Sequence, residues 1–566
     1  MPTAASISLR ETLALLDGQY SDIGNGVAQG SYAFWLGSGI SRGRVIGLNG
    51  VLEKLLEFIR GKITTDPACK YRTALNEIID KASPSDAERA EIDFAIPVSN
   101  WACTRILLER LWKQYSSVLS VDVGEPLDYL LWVGLDFAHT FSVLSADAEH
   151  LVIGMLALEG VVTQFASANW DGLIEAAMTE LGHDASFFCI TVTGNDLRNT
   201  AAAARLYKFH GCALRAIDKE SEYRPLLIAR SAQILSWSGN AKFKIVRDQL
   251  TALVQTNRTL MIGMSAQDVN IKQLFVAVNQ QQGWKWSDRP TPIVFSAQEL
   301  EPDQKDLLNA FYGDRDYEDH GNEIREAARL QAYAKPLLLA LLLQVLVIKL
   351  EVLASDAHAP NLDVAARAQI VAGIKALRDH VADAGDSDRL KLARAIAACL
   401  ARARHQLQNG TSAPGIQPYF PLAEQPAPRM KNNAALKSTG QREAAVALGL
   451  IGLDEQASVW TTSVDDPSDA RTGALRLSSL NATARIFLAA NDDTITSLLE
   501  CGAFAETDDD VVVICSGRVT SRQQRSPGGD LRSGAIGPRY LALGSMLSDV
   551  ANLIDLRDRF REEIGL

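Results

Sequence analysis

The chain has 566 residues, too many for one ordinary domain and enough for about three or four. Hydrophobic residues make up 47% and charged residues 22%, a balance that excludes a disordered, fibrous or collagenous chain. With 56 Lys and Arg against 68 Asp and Glu, the net charge of −12 opposes non-specific attraction to nucleic acid or an anionic membrane and leaves only local basic patches to supply it.

The seven cysteines (Cys69, Cys103, Cys189, Cys212, Cys399, Cys501, Cys515) are scattered and contain no CxxC pair. Neither a disulfide framework nor a structural zinc knuckle is expected, and the pattern suits a reducing cytoplasm. Residues 1–30 read as an N-terminal helical segment. Arg10 and Glu11 interrupt any continuous apolar core there, so export is not expected.

Ser31–Leu36 reads as a short buried strand that runs directly into the turn Gly37-Ser38-Gly39-Ile40-Ser41. Leu48, Val51, Leu52, Leu55, Leu56 and Ile59 then recur at helical spacing. Strand, glycine turn and helix form the first unit of a Rossmann-like sheet. From about residue 64 to 159 the pattern is mainly helical and reads as an insertion. Residues 160–167 return to strand type, followed by Ile174, Met178 and Leu181 on one helical face.

Further strands are expected at Phe187–Val192, Arg205–Phe209, Thr259–Gly263 and Pro292–Ser296, with a helix through Ile271, Leu274 and Phe275. Strands alternating with helices predict a parallel α/β sheet over residues 31–300, whose ligands collect beyond the carboxyl ends of the strands. A helical region follows over 301–404. Its apolar run Pro336–Ile348, bounded by Lys335 and Lys349, is shorter than a membrane span needs and reads as a buried helix or an oligomer contact. Residues 405–435 contain Pro414, Pro418, Pro421, Pro426 and Pro428 and read as a linker or extended arm. Residues 436–566 form a smaller mixed α/β unit with strands at Arg485–Ala490 and Val511–Cys515 and a final helix over Leu547–Phe560.

Four polar clusters fall at strand ends: Gly37 to Ser41, Ser167 to Asp171, Lys208 to Gly211, and Gly263 to Asp268. Gly37 and Gly39 would let backbone N–H groups approach a pyrophosphate, or they simply make a tight structural turn. Asn169 offers an acceptor and a donor to ribose hydroxyls or a carboxamide, and Asp171 accepts from that carboxamide; the alternative for both is a helix cap. His210 is placed to accept a proton from a hydroxyl near neutral pH, or is a satisfied core histidine.

Taken in order, the series resembles the sirtuin family: Gly37 to Ser41 is similar to its Gly-Ala-Gly-Ile-Ser turn, Ser167 to Asp171 to its Thr-Gln-Asn-hydrophobic-Asp segment, His210-Gly211 to its His-Gly, and Gly263 to Ser265 to its Gly-Thr-Ser turn. It resembles most the bacterial sirtuin-like domains of antiphage defence proteins, through Asn169 to Glu175, Lys208 to Gly211 and Gly263 to Asp268. The resemblance covers about residues 31 to 300. It implies NAD as substrate, with the diphosphate at Gly37, Ser38, Gly39, Ile40 and Ser41, the ribose next to nicotinamide at Asn169, the nicotinamide amide at Asp171, and His210 as base or orienting residue. Gly263, Ser265 and Asp268 would border the adenosine.

The family's deacylases carry two CxxC pairs for zinc, which this sequence lacks. The defence-associated members also lack them and hydrolyse the nicotinamide–ribose bond, so the resemblance implies an NAD glycohydrolase acting in abortive infection. A non-catalytic NAD or ADP-ribose sensing module and a zinc-free deacylase are the alternatives. By the same analogy, the region after the sirtuin-like part serves regulation and assembly, as a homo-oligomer or with an Argonaute-type or HerA-type ATPase partner, without membrane. Arg518, Arg522, Arg525, Arg532 and Arg539 make a basic stretch that reads as a solvated loop or a partner surface and leaves direct nucleic-acid contact open. Asp508-Asp509-Asp510 reads as a charged lead into a strand.

Overall fold

The computed structural model describes all residues except 1, 143–144, 199–201, 283–285, 287–292, 413–414, 416–417, 465–467, 518 and 520–536. Its first layer is a seven-stranded, wholly parallel sheet: β1 (Tyr32–Leu36), β2 (Gln164–Ser167), β3 (Phe188–Thr191), β4 (Ala204–Lys208), β5 (Arg258–Ile262), β6 (Ile293–Ser296) and β7 (Arg329–Leu330), in the order β3-β4-β2-β1-β5-β6-β7. Every residue of β1 is buried, as a central strand covered by helices on both faces requires. Pro292, expected to open the sixth strand, lies outside the described residues.

The sheet register sets the site. Leu36 pairs with both Ser167 and Ile262, and Ser167 pairs with Lys208. The adjacent strands β4, β2, β1 and β5 therefore end at one level, and the loops that follow them leave the sheet side by side. The sheet also extends past residue 300, because the two-residue strand β7 pairs with Phe295 and Ser296 of β6. So short a strand carries no alternation to read.

Between β1 and β2 the insertion is helical, and ends in the fully buried helix Ala148–Leu158. The apolar run near residue 340 extends to a 22-residue helix, Ala334–Ser355, the one described helix long and apolar enough to cross a membrane by length and composition. It is a core helix here, packed in one cluster with β1 and the N-terminal helices Leu9–Asp17 and Ser21–Ala28. Lys349 on this helix is fully buried, and its three ammonium hydrogens go to the Glu159 carboxylate (2.6 Å), the Glu159 carbonyl (2.7 Å) and the Ala423 carbonyl (2.6 Å). The other carboxylate oxygen of Glu159 accepts from the Tyr419 hydroxyl (2.7 Å) and the Leu422 N–H (3.0 Å).

The proline-rich stretch is accordingly no free tether. Tyr419 is fully buried and Leu422, Ala427 and Met430 are buried too, so its described part is a strap seated on the core. Proline excludes helix but not burial, and the strap's backbone groups find partners in Glu159 and Lys349.

The C-terminal unit holds a five-stranded mixed sheet of β8 (Thr461–Ser463), β9 (Leu475–Ser478), β10 (Thr483–Ala489), β11 (Val511–Cys515) and β12 (Arg539–Ala542), ordered β12-β11-β10-β9-β8. Strands β10 to β12 run parallel, and β8 to β10 antiparallel. The final helix is broken into Leu543–Asp549 and Leu553–Ile564, the second capped by the Asn552 side chain. The acidic triplet before β11 is an ion-pair site: Arg485 binds both Asp510 (2.6 Å) and Asp508 (3.0 Å). Arg518, Arg522, Arg525 and Arg532 lie outside the described residues, and Arg539 begins β12.

Candidate active site

A cavity of about 310 Å³ opens over the carboxyl ends of β4, β2, β1 and β5, at the small end of the size range of ligand pockets. Gly37, Ser38, Gly39, Ser41, Asn169, Asp171, His210, Gly263, Ser265 and Asp268 all line it. Of the residues expected to bind the dinucleotide, only Ile40 stays behind the wall, buried in the core.

The glycine turn works differently from the reading of it as an open anion cradle. A Cβ on Gly37 would lie 2.3 Å from the Gly263 carbonyl oxygen, and one on Gly39 2.6 Å from the Gly263 Cα. The Gly37 N–H donates to the Ile262 carbonyl (2.9 Å) and the Gly39 N–H to the Gly263 carbonyl (3.0 Å). The two glycines thus let the loops after β1 and β5 pack backbone to backbone, and their N–H groups are spent on that packing. Ser38 and Arg42 are exposed on the same wall. Across the joint, Gly263 (φ +66°) and Ala266 (φ +58°) both take the left-handed backbone, which costs a non-glycine residue about 1–2 kcal/mol.

Asn169 is held by three bonds. Its N–H donates to the Ser167 hydroxyl (3.0 Å), and its amide Nδ2 donates to the Gly37 carbonyl (3.1 Å) and to the Ser41 hydroxyl (3.3 Å). Both amide hydrogens are therefore committed, and the side chain presents its Oδ1 acceptor to a ligand. The Ser41 hydroxyl donates its hydrogen bond to Asp171 Oδ2 (2.9 Å), so Asn169, Ser41 and Asp171 form one directed chain. Asp171 does not begin the helix: Leu173–Glu180 starts two residues later, and Asp171 Oδ1 accepts the Leu173 N–H (3.2 Å). The capping and ligand-binding readings of Asp171 are geometrically compatible.

Lys208 and Glu175 fix this turn from beneath. Both are buried; the Lys208 ammonium donates to Glu175 Oε1 (2.6 Å) and to the Asp171 carbonyl. Burial alone would push the lysine down, but the Glu175 and Asp171 carboxylates outweigh it and hold the amine charged.

His210 follows β4 and is 4% exposed, with its ring edge-on to Phe209 (4.8 Å). Its carbonyl accepts from Ile228 N–H (2.9 Å) and from the Trp170 indole (3.0 Å), which ties the β4 loop to the β2 loop. Burial pushes the imidazole pKa down, against the upward pull of the nearby Asp268 carboxylate. Asp268 lines the same cavity, and the Tyr115 hydroxyl lies 3.4 Å from its Oδ1.

Motif reasoning missed the residues that close the cavity. Trp112, Tyr115, Leu119 and Phe141 come from the helical insertion, where an aromatic at a wall carries no more sequence signal than one in a core. Phe141 meets Trp170 edge-on at 5.2 Å, giving the cavity an aromatic wall. Lys208 and Glu175 were visible as parts of the quoted motifs, but without a partner assigned to either.

A polar cavity across the level ends of the central strands of a parallel sheet is where open α/β folds bind their ligands, and here it gathers the glycine turn, the Asn-x-Asp loop and the His-Gly loop that carry the resemblance to sirtuins. Residues 163–313 match the family model described as SIR2-like domain, a match to this part of the chain that supports a NAD-related, sirtuin-type role for it. The match begins after β1, so the turn Gly37 to Ser41 lies outside the matched residues. None of the curated proteins matches the chain.

Proposed function

We propose that the chain is an NAD glycohydrolase that cleaves NAD to nicotinamide and ADP-ribose. The observation that carries this reading is the convergence of Asn169, Asp171 and His210 on one cavity that also holds the Asp268 carboxylate and an aromatic wall. In this reaction the bond between ribose C1′ and the nicotinamide nitrogen breaks, its electron pair leaves with neutral nicotinamide, and water supplies the new C1′–O bond and releases a proton. The transition state is oxocarbenium-like, and preorganised negative groups in a water-poor site favour its developing positive charge. Asp171, held by Ser41 and the Leu173 N–H, would accept the carboxamide N–H, and Asn169 Oδ1 would face the ribose. No acyl-lysine cleft or zinc module is needed for this chemistry, and the absence of CxxC pairs from the sequence favours hydrolysis over deacylation.

Following the resemblance to defence proteins, we assign the activity to NAD depletion in an infected cell's cytoplasm. Residues beyond the SIR2-like part would hold it quiet until self-assembly or a partner such as an Argonaute-type protein or a HerA-type ATPase releases it.

The test is nicotinamide release from NAD by the wild type, Asn169→Ala and His210→Ala, matched for fold and oligomeric state. Stoichiometric release by the wild type and failure of both variants supports hydrolysis. A wild type that binds NAD yet stays inert with a candidate partner present makes the domain an NAD-sensing module instead.

A further inference from the structure

His210 has a buried neighbour that no motif includes. Asn270, 1% exposed in the helix Val269–Gln282, places its Nδ2 2.8 Å from His210 Nε2. The Ile271 N–H is shared between Asn270 Oδ1 at 2.9 Å and the Asp268 carbonyl at 3.1 Å, and the amide orientation that keeps the shorter of these bonds aims Nδ2 at His210. Turning the amide over would set two donors against each other at Ile271 and forfeit that bond. The group aimed at His210 is therefore an N–H donor, and Nε2 must be the acceptor. A neutral imidazole whose Nε2 accepts carries its proton on Nδ1. His210 lines the cavity and Asn270 does not, which leaves Nδ1 as the nitrogen available to a ligand.

We propose that Asn270 is a positioning residue that locks His210 in the Nδ1–H tautomer, so that the imidazole meets the substrate ribose as a hydrogen-bond donor that orients it and not as a ready base. The consequence for the reaction rests on the hydrolase reading above; the tautomer does not. An oriented ribose presents C1′ to water in one geometry, whereas a base would have to find its lone pair on Nδ1, where the proton sits, or on Nε2, where Asn270 sits.

The 566-residue chain, labelled with 15N in its imidazole rings, decides the first point by two-bond 15N–1H correlation. The chain has eight histidines, and loss of one ring's signals in His210→Ala assigns it. The expected pattern at neutral pH is a bare Nε2 and a protonated Nδ1, switching in Asn270→Asp to a protonated Nε2 that faces the new carboxylate. A wild-type ring protonated on Nε2, or an Asn270→Asp ring with unchanged signals, overturns the proposal whether or not any enzymatic activity is seen.

The pH profile decides the second point by its sign. In Asn270→Asp the carboxylate raises the imidazole pKa, and above that pKa the neutral ring keeps its proton on Nε2 and loses the Nδ1–H donor. Nicotinamide release by this variant should then fall at least about tenfold as pH rises through the imidazole titration, while the wild type stays level there. A base on Nδ1 requires the opposite, a variant that gains activity with rising pH, and that outcome refutes the donor role. A wild type that binds NAD without releasing nicotinamide sinks the hydrolase reading alone, since the tautomer is read without turnover.

Discussion

Replacing Lys208 with methionine should be among the most costly single changes in the SIR2-like part of the chain. Lys208 is 1% exposed, and its ammonium serves the Glu175 carboxylate at 2.6 Å and the Asp171 carbonyl. Without it, Glu175 is left charged in the interior with only the Cys212 thiol at 3.9 Å as a remaining donor. Breaking a buried ion pair by removing one partner costs about 3–5 kcal/mol. Glu175→Leu should cost a similar amount, by stranding the ammonium. In the double variant both ions are gone, and the main remaining cost is the unpaired Asp171 carbonyl, about 1–3 kcal/mol. The two changes should therefore be strongly non-additive in a double-mutant cycle read by urea denaturation at pH 7. The coupling should also reach the site, because the Asp171 carbonyl belongs to the turn that carries Asn169. Single variants within about 1 kcal/mol of wild type, or a double variant equal to the sum of the singles, would show that Lys208 is not the charge-paired floor of the site.

Two further outcomes follow from the same geometry. Gly37→Ala or Gly39→Ala must force apart the loops after β1 and β5, and should cost about 1–3 kcal/mol and abolish NAD binding; calorimetric titration that finds wild-type affinity would refute the close-packed joint. The second concerns adjacent buried groups next to Asp147, Arg44, Lys335 and Asp171. Burial raises Glu149 to about 7 and lowers His150 to about 4. Glu149 keeps a proton in the fold that the unfolded chain has lost, so its contribution is full below about pH 4.5 and is lost as pH rises towards 7. His150 refuses a proton that the unfolded chain accepts, so its contribution is full above about pH 6.5 and is lost as pH falls towards 4. The slopes oppose each other between about pH 4.5 and 6.5. Glu149→Gln should make stability climb more steeply with pH there, and His150→Phe should make it decline, by up to about 1.4 kcal/mol per pH unit. Urea midpoints of both variants that track the wild type across that window would exclude these groups as the source.

The parts of the fold that could be read from the sequence are those where apolar runs end on small or polar residues. Strands β1, β4 and β5 each stop at a glycine or His-Gly turn, and their core residues declare themselves because parallel strands are buried on both faces. β7, β8 and β9 escaped because they are two to four residues long and, in β8, exposed or half-exposed. The strap around Tyr419 escaped because its burial depends on a carboxylate and an ammonium distant in sequence. At the site, the motif residues could be named in advance, but not what each of them touches. Gly37 and Gly39 are small for the sake of Gly263, and the directed bond from Asn270 to His210 exists only once the helix after β5 is placed against the loop after β4. Tyr115 and Phe141, contributed by an insertion without a motif, could not have been selected from among other aromatics.

Glu159 has a bearing on how the molecule is made. Its carboxylate closes the end of the helix before β2, yet the groups that neutralise it, Lys349, Tyr419 and Leu422, lie 190, 260 and 263 residues further along the chain. A nascent chain that has released only the SIR2-like part still holds an unmatched interior charge and an apolar face waiting for the helix Ala334–Ser355. On the ribosome, this charge cluster can be completed only after the strap has emerged, so a product cut short before residue 423 would leave Glu159 and Lys349 without the strap groups that complete their bonding.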